Sequence, residues 1–206
     1  MVRRVSGPDP APVAIGPAGQ PVERADAARN RARALRAAGR LCAARGVAGV
    51  TMDDVAAEAG VGKGTLYRRF GDKGGLAMAL LGERERGFQE RLLSGPPPLG
   101  PGAGAVDRLI AFVEGYVRLV WDNIDLLEMS ETNAPGARFR SGAHALWVSH
   151  CRILLAEAGA VDPDLRADAL LAALSAEQIR HWSADQERDL SELARSLADL
   201  ARALAS

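Results

Sequence analysis

Lysine is almost missing from this chain of 206 residues: Lys63 and Lys73 are the only two, and every other basic side chain is arginine. Aromatic residues make up only 4% of the chain and β-branched residues are also few, which excludes a sheet-built core. No apolar run reaches the eighteen or so residues of a membrane span, so no membrane partner is expected. The N-terminus lacks a signal-peptide core, which points to a cytoplasmic protein. With two cysteines in all, Cys42 and Cys151, the chain has no disulfide framework, and both read as reduced packing residues. Also missing are a nucleophile elbow, a phosphate loop and any His/Cys cluster with metal-ligand spacing. Catalytic residues, a bound metal and a cofactor are therefore not expected.

Alanine, leucine and arginine dominate instead, and apolar residues recur at helical spacing, so the expected class is all-α. The length suits one large or two small domains with a real core. A formal net charge of zero hides a strong asymmetry. From Arg24 to Ser94 there are fourteen Lys/Arg against eight Asp/Glu, whereas from Gly95 to Ser206 there are ten against sixteen. Such a split suggests that one half meets a polyanion and the other has a different task. Both lysines fall in the positive half, within a single short segment.

That segment is Thr51–Lys73, TMDDVAAEAGVGKGTLYRRFGDK. Thr51 is suited to cap a helix, with Asp54 at the third position of an imperfect capping box. Val55, Ala56 and Ala59 would face inward, and Gly60 would end the helix in a left-handed conformation. A second short helix is expected from near Gly62 to Phe70, with Leu66 and Phe70 inward. Lys63, Gly64, Tyr67 and Arg68 then lie on the opposite side. Two helices joined by a glycine turn, the second with a cationic outer face, form a helix-turn-helix able to enter a DNA major groove.

Residues 1–24, rich in Pro, Gly and Ala, read as a disordered arm. A first helix is expected from Asp26 to Arg45, with Ala28, Ala32, Leu35, Ala38, Gly39 and Leu41 inward. A further helix should run from near Asp72 to about Leu93. The segment SGPPPLGPGAG, residues 94–104, cannot continue a helix and is expected to separate a DNA-binding domain (25–93) from a larger helical domain (105–206). In that second domain helices are expected over Ala105–Trp121, Ile124–Thr132, Ala137–Ala158, Pro163–Ala184 and Arg188–Ala205, giving about nine helices in all. The last carries a regular seam of Leu190, Leu193, Leu197, Leu200 and Leu204, suited either to its own domain or to a partner helix.

With those residues in place, the chain resembles the TetR family of bacterial transcriptional regulators. The resemblance rests on Thr51 to Ala56, Ala59–Gly60–Val61, Gly64–Thr65–Leu66–Tyr67, Phe70, Lys73 and Leu76. It covers roughly Ala25 to Leu93, and beyond that only the helical layout agrees. Gly62 stands where serine is common, Gly74 where an acidic residue is common, and Arg69 in place of a frequent histidine. The resemblance implies that Lys63, Gly64, Thr65 and Arg68 approach base edges, while Thr51, Tyr67, Arg69 and Lys73 hold phosphates. It also implies a repressor that binds an inverted-repeat operator in double-stranded DNA as a homodimer and is released by a small-molecule effector. The implied dimer is a four-helix bundle, for which Leu170 and Leu174 on the penultimate helix and the Leu190–Leu204 seam are the candidates.

An effector pocket would lie among the helices from Ala105 to Trp182, with Phe112, Tyr116, Trp121, Met129, Trp147 and Cys151 as candidate lining. Glu128 and Glu131 are the acids considered there. Two other readings stand beside this one. The first is a regulator that senses oxidation through Cys42 or Cys151. The second is a helical-bundle enzyme that uses His150, Cys151 or His181, for which only the residue types speak.

Overall fold

The computed structural model describes residues 20–132, 139 and 142–206, with side chains described from residue 25 and not at 129–132. All regular elements among them are helical. In chain order they are α1 (Gln20–Arg45), α2 (Met52–Ala59), α3 (Lys63–Phe70), α4 (Lys73–Ser94), α5 (Ala105–Trp121), α6 (Ile124–Thr132), α7 (Gly142–Glu157), α8 (Pro163–Ala173), α9 (Ala176–Arg180) and α10 (Leu190–Leu204). A short π-helical turn, His181–Asp185, continues α9.

The first helix begins at Gln20 rather than at Asp26, so the helical part of α1 reaches into the expected arm. The rest of that arm lies outside the described residues, as does the expected start of α7 at Ala137. The single helix expected over Pro163–Ala184 is divided at Leu174–Ser175. There Ser175 takes an extended conformation and accepts a hydrogen bond from the Gln178 amide, capping α9 as a new helix.

Two apolar cores hold the molecule. Ala34, Leu35, Ala38 and Leu41 of α1 pack with Val55, Ala56 and Ala59 of α2, Leu66 of α3, and Leu76, Ala77 and Leu80 of α4. The second core joins Phe88 and Leu92 of α4 to α5, α7, α8, α9 and α10. The two cores divide inside α4, between Leu80 and Phe88. The physical reason is that a long helix with an apolar stripe serves two clusters in succession. One residue crosses over: Leu126 of α6 is buried in the first core.

Helix α10 packs mainly along α5. Leu193 and Leu197 are buried in the second core, as are Leu170 of α8 and Leu174, while Leu190 and Leu204 are part-buried against it. Only Leu200 is exposed. Leu170, Leu174, Leu193 and Leu197 are thus covered within the protomer, where α5 supplies an apolar partner for the seam. α4 and α5 also cross closely: a Cβ placed on Gly115 would stand 2.7 Å from the Phe88 ring.

Candidate nucleic-acid interface and ligand cavity

Local chemistry fixes both ends of α2. Thr51 is extended and its hydroxyl accepts a hydrogen bond from the Asp54 amide at 3.1 Å, while the Thr51 amide donates to the Asp54 carboxylate at 2.9 Å. The capping box expected to be imperfect is therefore complete. The Thr51 hydroxyl also donates to the Asp54 carboxylate at 2.6 Å, and this bond, ahead of the one from the Thr51 amide, holds the Asp54 carboxyl below its ordinary value. At the other end Gly60 is left-handed, at φ 60° and ψ 40°. Its carbonyl accepts from Arg33 of α1 at 3.1 Å, and a side chain there would collide with that guanidinium. Arg40 of α1 pairs with Glu58 at 2.8 Å and helps fix the angle of α2 against α1.

Helix α3 starts at Gly62, whose missing side chain leaves the first turn without a side-chain cap. Leu66 is buried and Phe70 part-buried against the first core. Lys63, Gly64, Tyr67, Arg68 and Arg69 are exposed, with Tyr67 at 47% despite its size. Thr65 is part-buried and faces a small cleft between α1 and α3. Lys63 is not idle: its ammonium lies 2.6 Å from Asp53, and that contact raises its pKa. Lys73 is tied to the backbone as well, donating to the Ala48 carbonyl at 3.0 Å. Among the described residues Arg68 and Arg69 make no ion pair. Lys63, Gly64, Tyr67 and Arg68 are thus exposed on α3, while Arg69, also exposed, borders the clefts between α3 and α1.

Gly75 carries weight that sequence reasoning missed. A Cβ there would stand 1.9 Å from the Phe70 carbonyl oxygen, so the turn from α3 into α4 closes only over a bare Cα. Asp72 caps α4 by accepting from the Gly75 amide at 2.8 Å.

The C-terminal half holds a cavity of about 350 Å³ between α4, α5, α7 and α8. Of the expected lining residues, Tyr116 and Trp147 do line it. Phe112 stands behind them, stacked on Tyr116 at 5.3 Å between ring centroids. Cys151 is buried in the core, off the cavity, because the aromatic rings fill the space in between. Trp121 borders a separate surface cleft with Cys42, Arg84 and Asn123, since it lies at the end of α5 facing α1 rather than α7. The side chains of Met129 and Glu131 lie outside those described. Glu128 is engaged with Arg180 of α9. Two acids line the cavity, Asp168 of α8 and Glu85 of α4, and burial pushes the Glu85 carboxyl up to about 7. Its place among charged neighbours, in ERER, gave no signal that it would turn inward.

The thiols and His150 sit in unreactive settings. Burial raises the pKa of Cys42 against weaker opposing effects of Arg84 and Lys73, and pushes the buried Cys151 thiol well up. His150 is lowered to about 4, first by burial and then by Arg108. A neutral imidazole beside a protonated thiol is the reverse of an activated nucleophile pair. His181 bonds to Asp185 at 3.0 Å, and no group of three potential metal ligands occurs among the described residues.

Comparison with known proteins agrees with this geometry. Residues 34–80 match the sequence model of the family described as bacterial regulatory proteins, tetR family. No curated protein matches the chain. Among solved structures, a protein described as a TetR-family transcriptional regulator from Rhodococcus sp. is 25% identical. It covers 86% of this chain and 99% of its own, with a TM-score of 0.64. A TetR-like transcriptional regulator from Rhodococcus sp. RHA1 is 26% identical over 85% of this chain and 93% of its own, with a TM-score of 0.56. A transcriptional regulator from Saccharomonospora viridis, solved in complex with choline, shares the fold. Its TM-score is 0.65 at 22% identity, over 84% of this chain and 95% of its own. Residues 34–80 thus carry the sequence pattern of the tetR family of bacterial regulatory proteins, and the described chain shares the fold of solved TetR-family transcriptional regulators.

Proposed function

We propose that this protein is a DNA-binding repressor whose α3 enters the major groove of an inverted-repeat operator, and that a small molecule in the C-terminal cavity releases it. The observation that carries the reading is the two-sided character of α3: Leu66 anchors it, while Lys63, Tyr67, Arg68 and Arg69 are all left exposed. Arg68 is assigned to a base edge, where a guanidinium donates to guanine O6 and N7. Lys63 and Thr65 join it, and Gly64 lets the backbone approach. Tyr67, Arg69, Lys73 and the cap residue Thr51 take phosphates. A Cβ on Gly64 would meet no heavy atom within 4 Å, so the protein itself sets no demand for glycine there.

The dimer is assigned to the outer face of α7 and α8. Ile153, Val161 and Leu165 are exposed there, while of the α10 seam only Leu200 is exposed. Two copies related by a two-fold axis set their recognition helices about one DNA turn apart or more.

Release follows from two elements shared by the cavity and the DNA-binding core. α4 places Glu85 at the cavity and Leu76 and Leu80 in the first core. α6 places Leu127 at the cavity and its neighbour Leu126 in the first core. Arg84 braces the two helices by donating to the Asn123 side chain at 2.6 Å. A ligand that prefers one setting of α4 and α6 therefore biases the position of α3. That a structure of the same fold holds choline supports a small organic ligand for this chain too.

The test is selection of fragments of bacterial genomic DNA by the full-length protein, followed by gel shift on the enriched sequence. An enriched inverted repeat bound by a dimer is expected. Uniform recovery of all fragments would overturn the reading.

A further inference from the structure

The cavity has a chemical bias that the repressor reading does not use. Its walls are aromatic and aliphatic, with Tyr116 of α5 and Trp147 of α7 beside Leu171 and Leu174. Its charged lining is acidic: Glu85 from α4 and Asp168 from α8. Among the described residues no Lys or Arg lines this cavity. Glu85 also differs from its neighbour on the same helix. Glu83 is paired with both Arg31 and Arg86, whereas among the described residues no cation or hydrogen-bond donor meets Glu85. A part-buried carboxylate without a partner is costly unless it is protonated or meets a positive charge. Indole and phenol faces attract the same kind of charge through their quadrupole.

We propose that the cavity between α4, α5, α7 and α8 binds a hydrophobic organic cation, with Glu85 as its counter-ion and the aromatic wall at Tyr116 and Trp147 beside it. This rests on the reading of the cavity as the effector site and names the class of effector it takes. The volume, about 350 Å³, suits a compact ligand at the lower end of the range for small-molecule sites. Asp168 at the exposed surface of α8 adds a second negative charge toward the opening, which favours entry of cations over anions. The described lining from α6 and α9 is Leu127 and Ala176, both apolar.

The experiment compares two probes of equal shape. Full-length protein at pH 8 is titrated with phenyltrimethylammonium and with its uncharged carbon isostere, tert-butylbenzene. Binding is followed by tryptophan fluorescence and independently by calorimetry. The cation is expected to bind at least tenfold more tightly than the isostere. Glu85→Gln should erase that preference while leaving the affinity for the isostere unchanged. A melting curve for Glu85→Gln no lower than wild type confirms that the cavity is intact. A wild-type protein that binds both probes equally, or a Glu85→Gln protein that retains the cation preference, overturns the proposal. Because this titration contains no DNA, its failure leaves the DNA reading untouched. Conversely, a cation that binds through Glu85 but does not loosen the protein–DNA complex at saturation supports the site and overturns the effector role.

Discussion

Asp54 and Glu85 are both carboxylates in the positively charged half of the chain, and their surroundings treat them in opposite ways. Asp54 receives two hydrogen bonds from the residue it helps to cap, and its pKa is lowered. Glu85 lines a cavity where no donor among the described residues meets it, and its pKa is raised to about 7. The first carboxylate shapes a helix terminus; the second is spent on recognition at the expense of stability. The contrast extends to the regions around them. The α2–α3 unit is specified by contacts within a few residues, whereas the cavity is assembled from helices distant in sequence.

The strongest way to break this comparison is to place a charge in each apolar seam. Leu197→Asp should destabilise the protomer by about 3–5 kcal/mol, because the carboxylate would be buried without a partner. Circular dichroism and sedimentation should show an unfolded or aggregated chain. Leu165→Asp, on the exposed face of α8, should instead yield a folded monomer with weak operator affinity. A folded, monomeric Leu197→Asp protein would return the dimer interface to α10.

Arg68→Ala comes next, with an expected loss of about 1–3 kcal/mol on the operator and relaxed discrimination at one base pair. Equal loss on operator and random duplex would move Arg68 from base reading to phosphate contact.

The two carboxylates give opposite pH responses. Glu85 has a folded-state pKa above its unfolded value, so the folded chain binds the extra proton between about 4.5 and 7. Stability should fall as pH rises through that window and level off above it. Glu85→Gln removes this loss and should stabilise the protein at pH 8, on the order of 1–2 kcal/mol once solvent screening is discounted. Asp54 acts with the other sign. Its contribution is present above the unfolded carboxylate pKa and is lost as pH falls through the lower folded value. Thermal melts of wild type, Glu85→Gln and Thr51→Ala across pH 3–8 separate the two. Thr51→Ala should cost about 1 kcal/mol at neutral pH through the lost cap.

The smallest expected effect belongs to Gly62. Gly62→Ser restores a side-chain cap on α3, and a Cβ there meets only the Thr65 hydroxyl at 3.9 Å. A gain of a few tenths of a kcal/mol is expected from the melting temperature. A loss would show that the bare Gly62 backbone is needed for α3 to start as it does.

What the sequence disclosed follows the same division. The caps at Thr51 and Gly60, the inward Leu66 and the cationic outer face of α3 were legible, because each depends on spacing within one or two turns. The need for glycine at position 75 was not, since it arises from the Phe70 carbonyl across a bend in the backbone. Nor was the break at Ser175, because a serine inside an apolar helical pattern reads equally well as a tolerated residue. The leucine seam of α10 was legible as a seam, but its partner was not. Periodicity says that a face is apolar and is silent on whether α5 or a second chain covers it. Glu85 was hidden for a related reason: a glutamate between two arginines looks solvated until the packing of α5, α7 and α8 is known.

The central claim is that α3 presents its cationic surface to duplex DNA, and the salt dependence of binding tests it most directly. The affinity of the full-length protein for its selected duplex is measured from low to moderate ionic strength. A linear fall of log K with log salt, with a slope of about −5 for roughly six neutralised phosphates, is the predicted result. Arg69→Ala should make that slope shallower by about one for each phosphate it releases. A flat dependence, or no duplex binding even at the lowest salt, would contradict the account.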